Sequence, residues 1–259
     1  MRRPTDPTLP IDYYEPVFSS ENPAIKDNYY RWYHLDFDFI DNKWVCRPYE
    51  TKGQITYFVY DEYGLDGGGR LWGCNFPKDL RKLYPTRVFD RCLDWCSGPG
   101  YCGFEMLSFE VAKSVVLMDL HDLAINYANI TIDKNNCRDK VTAYCIDQVG
   151  KLPDHEKFDL VIGNPPHTSQ VNRKLDSDQT RILSDVNWNS HREFFANVGK
   201  FLTDDGVIWL CENASPGAGP VEIFTPMIYD NGFKINNKIY FDDFNIISMP
   251  YYWLEITRA

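Results

Sequence analysis

Residues 87–103 of this 259-residue chain read RVFDRCLDWCSGPGYCG. The apolar run predicts a buried strand, and the glycines after it are typical of a loop that leads into a helix. Gly98, Gly100 and Gly103 have the spacing G-x-G-x-x-G, and Asp119 stands 21 residues after Gly98 (119 − 98 = 21). Such a loop and such an acidic residue predict a nucleotide-binding βαβ unit, in which the carboxylate meets ribose hydroxyls.

Strand and helix patterns alternate from Arg87 onward. The patterns predict strands at 87–95, 115–119, 141–147, 158–163 and 207–212, with helices at 100–113, 121–131, 188–202 and 220–231. This alternation predicts an α/β fold with a parallel sheet covered on both faces. The last two predicted strands, 233–241 and 246–256, are joined too closely for a crossover helix, so we expect them to pair antiparallel.

The first 64 residues have a different pattern. Residues 34–62 alternate polar positions with apolar ones, many of them aromatic, which predicts a few short antiparallel strands. The sequence DGGGR at 66–70 then interrupts the pattern. We therefore expect a small β-rich N-terminal unit at 1–64, which shapes substrate access, and an α/β domain at 65–259.

A second motif follows the fourth predicted strand. Residues 158–167 read FDLVIGNPPH, so Asn164, Pro165, Pro166 and His167 come directly after the strand. The first three predicted strands carry carboxylates at their ends: Asp94, Asp119 and Asp147. Parallel strands present their carboxyl ends at one edge of a sheet, where ligands bind. The glycine loop alone also fits an NAD- or FAD-dependent oxidoreductase, but the Asn-Pro-Pro motif and the antiparallel last pair favour another class.

With these motifs in this order, residues 66–259 resemble the class I S-adenosylmethionine-dependent methyltransferases. Within them, the chain is similar to the branch with an Asn-Pro-Pro-aromatic motif, which includes release-factor glutamine, N6-adenine and ribosomal RNA guanine-N2 methyltransferases. The resemblance implies S-adenosylmethionine as cofactor and a Rossmann-like seven-stranded sheet of order 3-2-1-4-5-7-6, with strand 7 antiparallel. Two positions depart from the pattern. Cys96 replaces a loop glycine, which is tolerable if its backbone is not left-handed, and His167 replaces the commoner Tyr or Phe.

The resemblance also implies which residues hold the cofactor. Asp119 is expected on the ribose, Asp147 on the adenine amine and Asp94 on the methionine ammonium, while Arg70 is a candidate for the methionine carboxylate. The remaining cofactor contacts are expected from the loop residues Cys96, Gly98 and Gly100. Alternatives stay open: Asp94 could cap the loop that follows it, Asp147 could cap a helix, and Arg70 could belong to a linker.

The Asn-Pro-Pro motif suggests how a nitrogen target would be held. The side-chain oxygen of Asn164 and the carbonyl of Pro165 can each accept an N–H from an amide or amine, which points the nitrogen lone pair at the methyl group. His167 could stack on the substrate or take a proton, or have no role. His191, near the start of a predicted helix, is expected at the surface. Glu212 and Asn213, where the fifth strand ends, are weaker substrate-contact candidates.

Composition narrows the partners. The formal net charge is -10, which disfavours nucleic acid as substrate without excluding it. No apolar run approaches a membrane span, the eight cysteines lack a C-x-x-C spacing, and we expect free thiols, no metal and a cytoplasmic protein. The polar insertion at 168–187 is expected to form a substrate lid. The acceptor stays unidentified, and a non-catalytic binding module is a further alternative.

Overall fold

The computed structural model describes residues 37–40, 43–46, 48–61, 68–169, 182–214, 218–241 and 251–259. Two short antiparallel pairs come first in the chain. They are β1 (Phe37–Ile40) with β2 (Lys43–Cys46), and β3 (Tyr49–Glu50) with β4 (Phe58–Val59). The expected antiparallel pairing of the N-terminal strands is therefore present in the described residues.

Seven further strands form one sheet. They are β5 (Cys92–Trp95), β6 (Val115–Asp119), β7 (Val141–Cys145), β8 (Phe158–Gly163), β9 (Leu202–Asn213), β10 (Phe233–Tyr240) and β11 (Tyr251–Arg258). Their order is β7-β6-β5-β8-β9-β11-β10. Strands β5 to β9 are parallel, and β11 runs antiparallel to both β9 and β10. The predicted order 3-2-1-4-5-7-6 is confirmed, including the antiparallel strand 7.

Helices cover both faces of this sheet, because the central strands are apolar on both sides. The helices are α1 (Gly69–Trp72), α2 (Asn75–Leu83), α3 (Tyr101–Ser108), α4 (Asp122–Lys134), α5 (Asn189–Asn197) and α6 (Val221–Asp230). One buried cluster joins the sheet to α2, α3 and α4, and a second joins it to α5 and α6. Within the described ranges, no helix is both long and apolar enough to cross a bilayer.

Strands β3 and β4 pack on the α/β domain. Tyr49, Tyr57 and Val59 belong to the same buried cluster as the residues of α3 and α4. The backbone N–H of Tyr60 donates to the hydroxyl of Thr131 at 2.9 Å. The division at residue 64 stays a prediction, but these contacts place part of the predicted N-terminal unit in the core of the domain.

The sheet order reverses between β5 and β8, and this reversal positions the site. Strand β6 lies on one side of β5 and β8 on the other, so a crevice opens beyond their carboxyl ends. Trp95 at the end of β5 pairs with Gly163 at the end of β8. The next residues, Cys96 and Asn164, therefore leave the sheet side by side.

Candidate active site

The glycine loop after β5 is a left-handed turn. Cys96, Gly98 and Gly100 have φ angles of 58°, 54° and 101°. The condition under which Cys96 was expected to be tolerated is therefore not met, because its backbone is left-handed. A residue other than glycine in this conformation costs roughly 1–2 kcal/mol. Strain of this kind is concentrated at ligand-binding turns.

The Asp94 side chain forms a hydrogen bond at the end of the glycine loop. Its Oδ2 accepts a hydrogen bond from the backbone N–H of Gly103 at 2.8 Å. A Cβ at Gly103 would lie 2.6 Å from Leu117 Cδ2, so only glycine lets α3 approach β6 this closely. Burial raises the pKa of Asp94 to about 8, and the Gly103 hydrogen bond opposes this rise. This geometry supports the loop-capping alternative for Asp94.

Asp119 lies on the wall of the crevice, where the predicted ribose contact requires it. Its Oδ2 accepts from the backbone N–H of Gly98 at 2.7 Å and its Oδ1 from that of His121 at 2.9 Å. Burial raises its pKa, while the two backbone hydrogen bonds oppose the rise. Both bonds fix the carboxylate, and each oxygen retains a second lone-pair direction for a hydroxyl donor.

The crevice is a pocket that is partly open to solvent. Apolar Met118, Leu120 and Ile146 contribute to its wall beside polar residues. Of the predicted site residues, the wall includes Cys96, Gly98, Asp119, Asp147, Asn164 and Pro166.

Asp147 and Arg70 differ in their placement. Asp147 is exposed on the cavity wall, and its Oδ1 accepts from Lys151 Nζ at 2.6 Å, a hydrogen bond that lowers its pKa. Arg70 lies on α1, with its guanidinium carbon 5.7 Å from the centre of the Tyr49 ring. Gly69, the residue before it, lines the cavity. The structure therefore brings Asp147 to the cavity, but among the described residues Arg70 and Asp94 are not on its wall.

The Asn-Pro-Pro motif follows β8 as predicted. Asn164 and Pro166 line the cavity, and Pro165 is buried. His167 is half-buried, and its Nε2 lies 3.2 Å from Asn164 Oδ1. The edge of the His167 ring meets Tyr251 of β11, with the ring centres 5.4 Å apart. His167 therefore contacts the predicted nitrogen-binding group directly.

His191 lies in the interior, so the prediction of a surface histidine is wrong. Its exposed fraction is 0%. Its Nδ1 is 2.6 Å from Asp185 Oδ2, and its Nε2 is 3.0 Å from Glu212 Oε1. Burial alone would lower the pKa of His191, but the charges and hydrogen bonds of Glu212 and Asp185 outweigh it and raise the pKa to about 9. The imidazole is therefore a buried cation between two carboxylates.

Aromatic rings and backbone donors complete this arrangement. The His191 ring stacks on Phe224 at 4.6 Å and meets the edges of Trp95 and Trp188. Asp185 also accepts from the backbone N–H groups of Ser190 and His191, at 2.8 and 3.0 Å. Aromatic rings and carboxylates therefore surround the His191 ring, and both kinds of group stabilise a protonated imidazole.

Sequence reasoning did not identify Asp185, and it ranked Glu212 only as a weak candidate. The sequence did contain one signal for Glu212. Its carboxylate stands at the end of the apolar run VIWLCEN, where it is expected to be buried, and a buried charge requires a partner. Residues 170–181 of the predicted lid lie outside the described residues. Across the part of the chain that is described, no three His, Cys, Asp or Glu side chains are placed to hold a metal ion.

Comparison with known proteins identifies the class. A family model described as the methyltransferase small domain matches residues 58–226. The chain is 33% identical over 123 residues to a ribosomal protein uL3 glutamine methyltransferase of Francisella tularensis, covering 45% of this chain and 39% of that protein. It is 25% identical over 170 residues to a ribosomal RNA small subunit methyltransferase C of Haemophilus influenzae, covering 63% of this chain and 47% of that protein.

A solved structure shows the same fold. The ribosomal protein L11 methylase of Lactobacillus delbrueckii superposes with a TM-score of 0.51 at 15% identity, covering 78% of this chain and 88% of that one. The superposition shows the shared fold, and the family model gives the class as a methyltransferase domain. The chain belongs to the methyltransferase small domain family. It spans less than half the length of the two curated relatives named above.

Proposed function

We propose that this chain transfers the methyl group of S-adenosylmethionine to an amide or amine nitrogen. The observation that carries the proposal is the pairing of Trp95 with Gly163. This pairing sets the glycine loop beside Asn164, so residues of the loop and of the Asn-Pro-Pro motif line one cavity. An oxidoreductase or a simple binding protein has no use for such a motif at this place.

The residues of the cavity fit this cofactor. Asp119 offers carboxylate oxygens to ribose hydroxyls, Asp147 offers an acceptor to the adenine amine, and Leu120 and Ile146 offer apolar surface to the base. The glycines of the left-handed loop have no Cβ, so the cofactor can approach the loop backbone closely. Asp94 is hydrogen-bonded to Gly103, Arg70 lies against the Tyr49 ring, and neither lines the cavity, so we assign the methionine end to backbone groups of the loop.

The chain's contribution to catalysis is alignment. S-adenosylmethionine supplies a methyl group on a positively charged sulfonium. The transfer is a direct displacement, which requires the acceptor nitrogen to lie in line with the methyl carbon and sulfur. The Asn164 oxygen and the Pro165 carbonyl hold the two N–H groups of the acceptor. As the bond between nitrogen and methyl carbon forms, the bond between methyl carbon and sulfur would break, the thioether would be the leaving group, and the nitrogen would release its proton to water; no covalent link to the protein forms.

The acceptor is a protein side-chain amide or a small amine in our proposal. The net charge of -10 disfavours the phosphate backbone of a nucleic acid. One relative is named as a ribosomal protein glutamine methyltransferase. The second candidate is a nucleic-acid base, which the ribosomal RNA methyltransferase relative favours.

Labelled S-adenosylmethionine tests the proposal. Proteins, RNA and amines are offered as acceptors, and the product is hydrolysed to identify the methylated atom. Asn164→Ala should lower kcat by about 10²-fold or more, since it removes one well-placed polar group. The affinity for S-adenosylmethionine should remain within about twofold. If Asn164→Ala turns over as the unaltered chain does, or if the label is found on oxygen or carbon, nitrogen recognition by this motif is wrong.

A further inference from the structure

A line of polar side chains runs from the interior to the proposed nitrogen-binding group. It begins at Asp185, passes through the His191 ring and reaches Glu212 at the end of β9. The other oxygen of that carboxylate, Glu212 Oε2, lies 3.5 Å from His167 Nδ1. The opposite ring nitrogen, His167 Nε2, lies 3.2 Å from Oδ1 of the Asn164 amide, so in the structure the amide oxygen faces the ring. Three separate segments of the chain therefore meet in one line.

The line carries an excess negative charge close to His167. Asp185, His191 and Glu212 are 3%, 0% and 0% exposed. Two carboxylates share one imidazolium, so the three side chains sum to one negative charge. Glu212 Oε2 and His167 Nδ1 are both buried, and among the described residues neither has a hydrogen-bond partner that satisfies the usual limits. Each is therefore available to satisfy the other after a small movement of the ring.

An ionised carboxylate can only accept hydrogen bonds. The nitrogen that faces Glu212 must then carry the hydrogen, which makes Nδ1–H the favoured form of a neutral His167. The lone pair of that neutral ring lies on Nε2, the atom that faces Asn164. The ionisation state of Glu212 thus decides whether His167 Nε2 presents a lone pair or a hydrogen to the Asn164 amide.

We propose that Glu212 is a positioning residue for methyl transfer, which acts through His167 to set which end of the Asn164 amide faces the acceptor. With a lone pair on Nε2, the amide nitrogen donates to His167 and the amide oxygen turns toward the acceptor. With a hydrogen on Nε2, the oxygen stays on His167. A half-turn of the amide exchanges the two arrangements without moving the other heavy atoms.

This proposal rests on the proposed function, because it assigns the Asn164 oxygen to the acceptor nitrogen. Asp185 and His191 have a supporting part, since the imidazolium keeps Glu212 ionised in the interior. Burial opposes the ionisation of Glu212, but the charge and the hydrogen bond of His191 lower its pKa. A purely structural ion pair would leave the state of the His167 ring unaffected.

The first test is a spectrum of the unaltered full-length chain. Long-range proton–nitrogen correlation of 15N-histidine-labelled protein distinguishes Nδ1–H from Nε2–H rings. The His167 signals are assigned by their absence in His167→Phe and read at the neutral limit of a pH titration. We expect Nδ1–H. A neutral His167 with its hydrogen on Nε2 would overturn the proposal, whether or not any variant folds.

The second test is Glu212→Gln. The glutamine amide can accept from His191 and donate to His167 Nδ1, so the neutral ring should change to the Nε2–H form. We expect kcat to fall about 10²-fold while the Kd for S-adenosylmethionine stays within about twofold. Glu255→Gln is the matched control, because Glu255 is a buried carboxylate on β11 that accepts from Tyr84 and Asn237 instead. It should leave both the His167 ring and kcat unchanged.

The outcomes separate the two proposals. If Asn164→Ala is inactive and Glu212→Gln has normal kcat, the positioning role of Glu212 is wrong and the proposed function stands. If Asn164→Ala has normal kcat, the proposed function fails, and the positioning proposal falls with it. An equal loss of kcat in Glu255→Gln would also overturn the positioning role, since the loss would then follow from any buried carboxylate.

Discussion

Raising the pH from about 6.5 to 9.5 should destabilise the folded chain through the deprotonation of His191. Its pKa is raised from 6.5 to about 9 in the folded state. A histidine with a raised pKa stabilises the fold fully below its unfolded pKa, and this contribution is lost as the pH rises through the folded value. The window of loss therefore lies between about pH 6.5 and 9.

The size of this loss of stability follows from the pKa shift of His191. Each pKa unit corresponds to about 1.4 kcal/mol, so the contribution of His191 to the free energy of unfolding is about 3 kcal/mol at the acidic end of the window. Near pH 9.5 it should be almost zero. The carboxylates of Asp185 and Glu212 stay ionised across this range, because both have lowered pKa values. Other groups also titrate, above all Asp94, whose pKa is about 8.

A double variant isolates the contribution of His191 from those other groups. His191→Gln with Glu212→Gln removes the imidazole together with one carboxylate, while Asp185 keeps its backbone donors from Ser190 and residue 191. Urea denaturation of both proteins at pH 6.5, 8 and 9.5 gives the difference in unfolding free energy. We expect that difference to change by about 3 kcal/mol in favour of the double variant. A difference constant within about 0.5 kcal/mol would refute the buried imidazolium.

Three further results are expected. S-adenosylmethionine at about a hundred times its Kd should raise the free energy of unfolding by about 2.7 kcal/mol, which is measured as a higher Tm. NAD should leave the Tm unchanged, and the reverse pattern would contradict the cofactor assignment. Asp119→Ala should weaken S-adenosylmethionine binding by about 1–3 kcal/mol in calorimetry, through loss of charge-assisted hydrogen bonds, and unchanged affinity would place the ribose contact elsewhere. Cys96→Gly should stabilise the fold by about 0.5–1 kcal/mol in urea denaturation. The reason is that relief of the left-handed strain (~1–2 kcal/mol) exceeds the entropy cost of glycine (~0.5–1 kcal/mol). A lower urea midpoint for the variant would show instead that packing holds Cys96.

The fold could be read from the chain because its signals are local. Apolar runs mark the strands at β5, β6 and β8, and the glycine and Asn-Pro-Pro loops follow them directly in sequence. Asp119 and Asn164 reach the cavity because each stands at the end of a parallel strand. Resemblance to a family supplied the sheet order, which local patterns do not contain. Element bounds were less accurate: the predicted helix at 188–202 is an α-helix only from Asn189 to Asn197 and continues as a 3-10 turn from Val198 to Lys200.

Tertiary contacts decided the rest. Nothing near His191 in the sequence requires burial, since a histidine near the start of a helix is equally suited to solvent. Its burial depends on Glu212, 21 residues away on β9, and on Asp185, which reaches it through a tight turn. The left-handed backbone of Cys96 likewise follows from the closure of the loop against Asp119. Local patterns along the chain determined where strands end, but which charges meet in the interior depends on packing between segments that are distant in sequence.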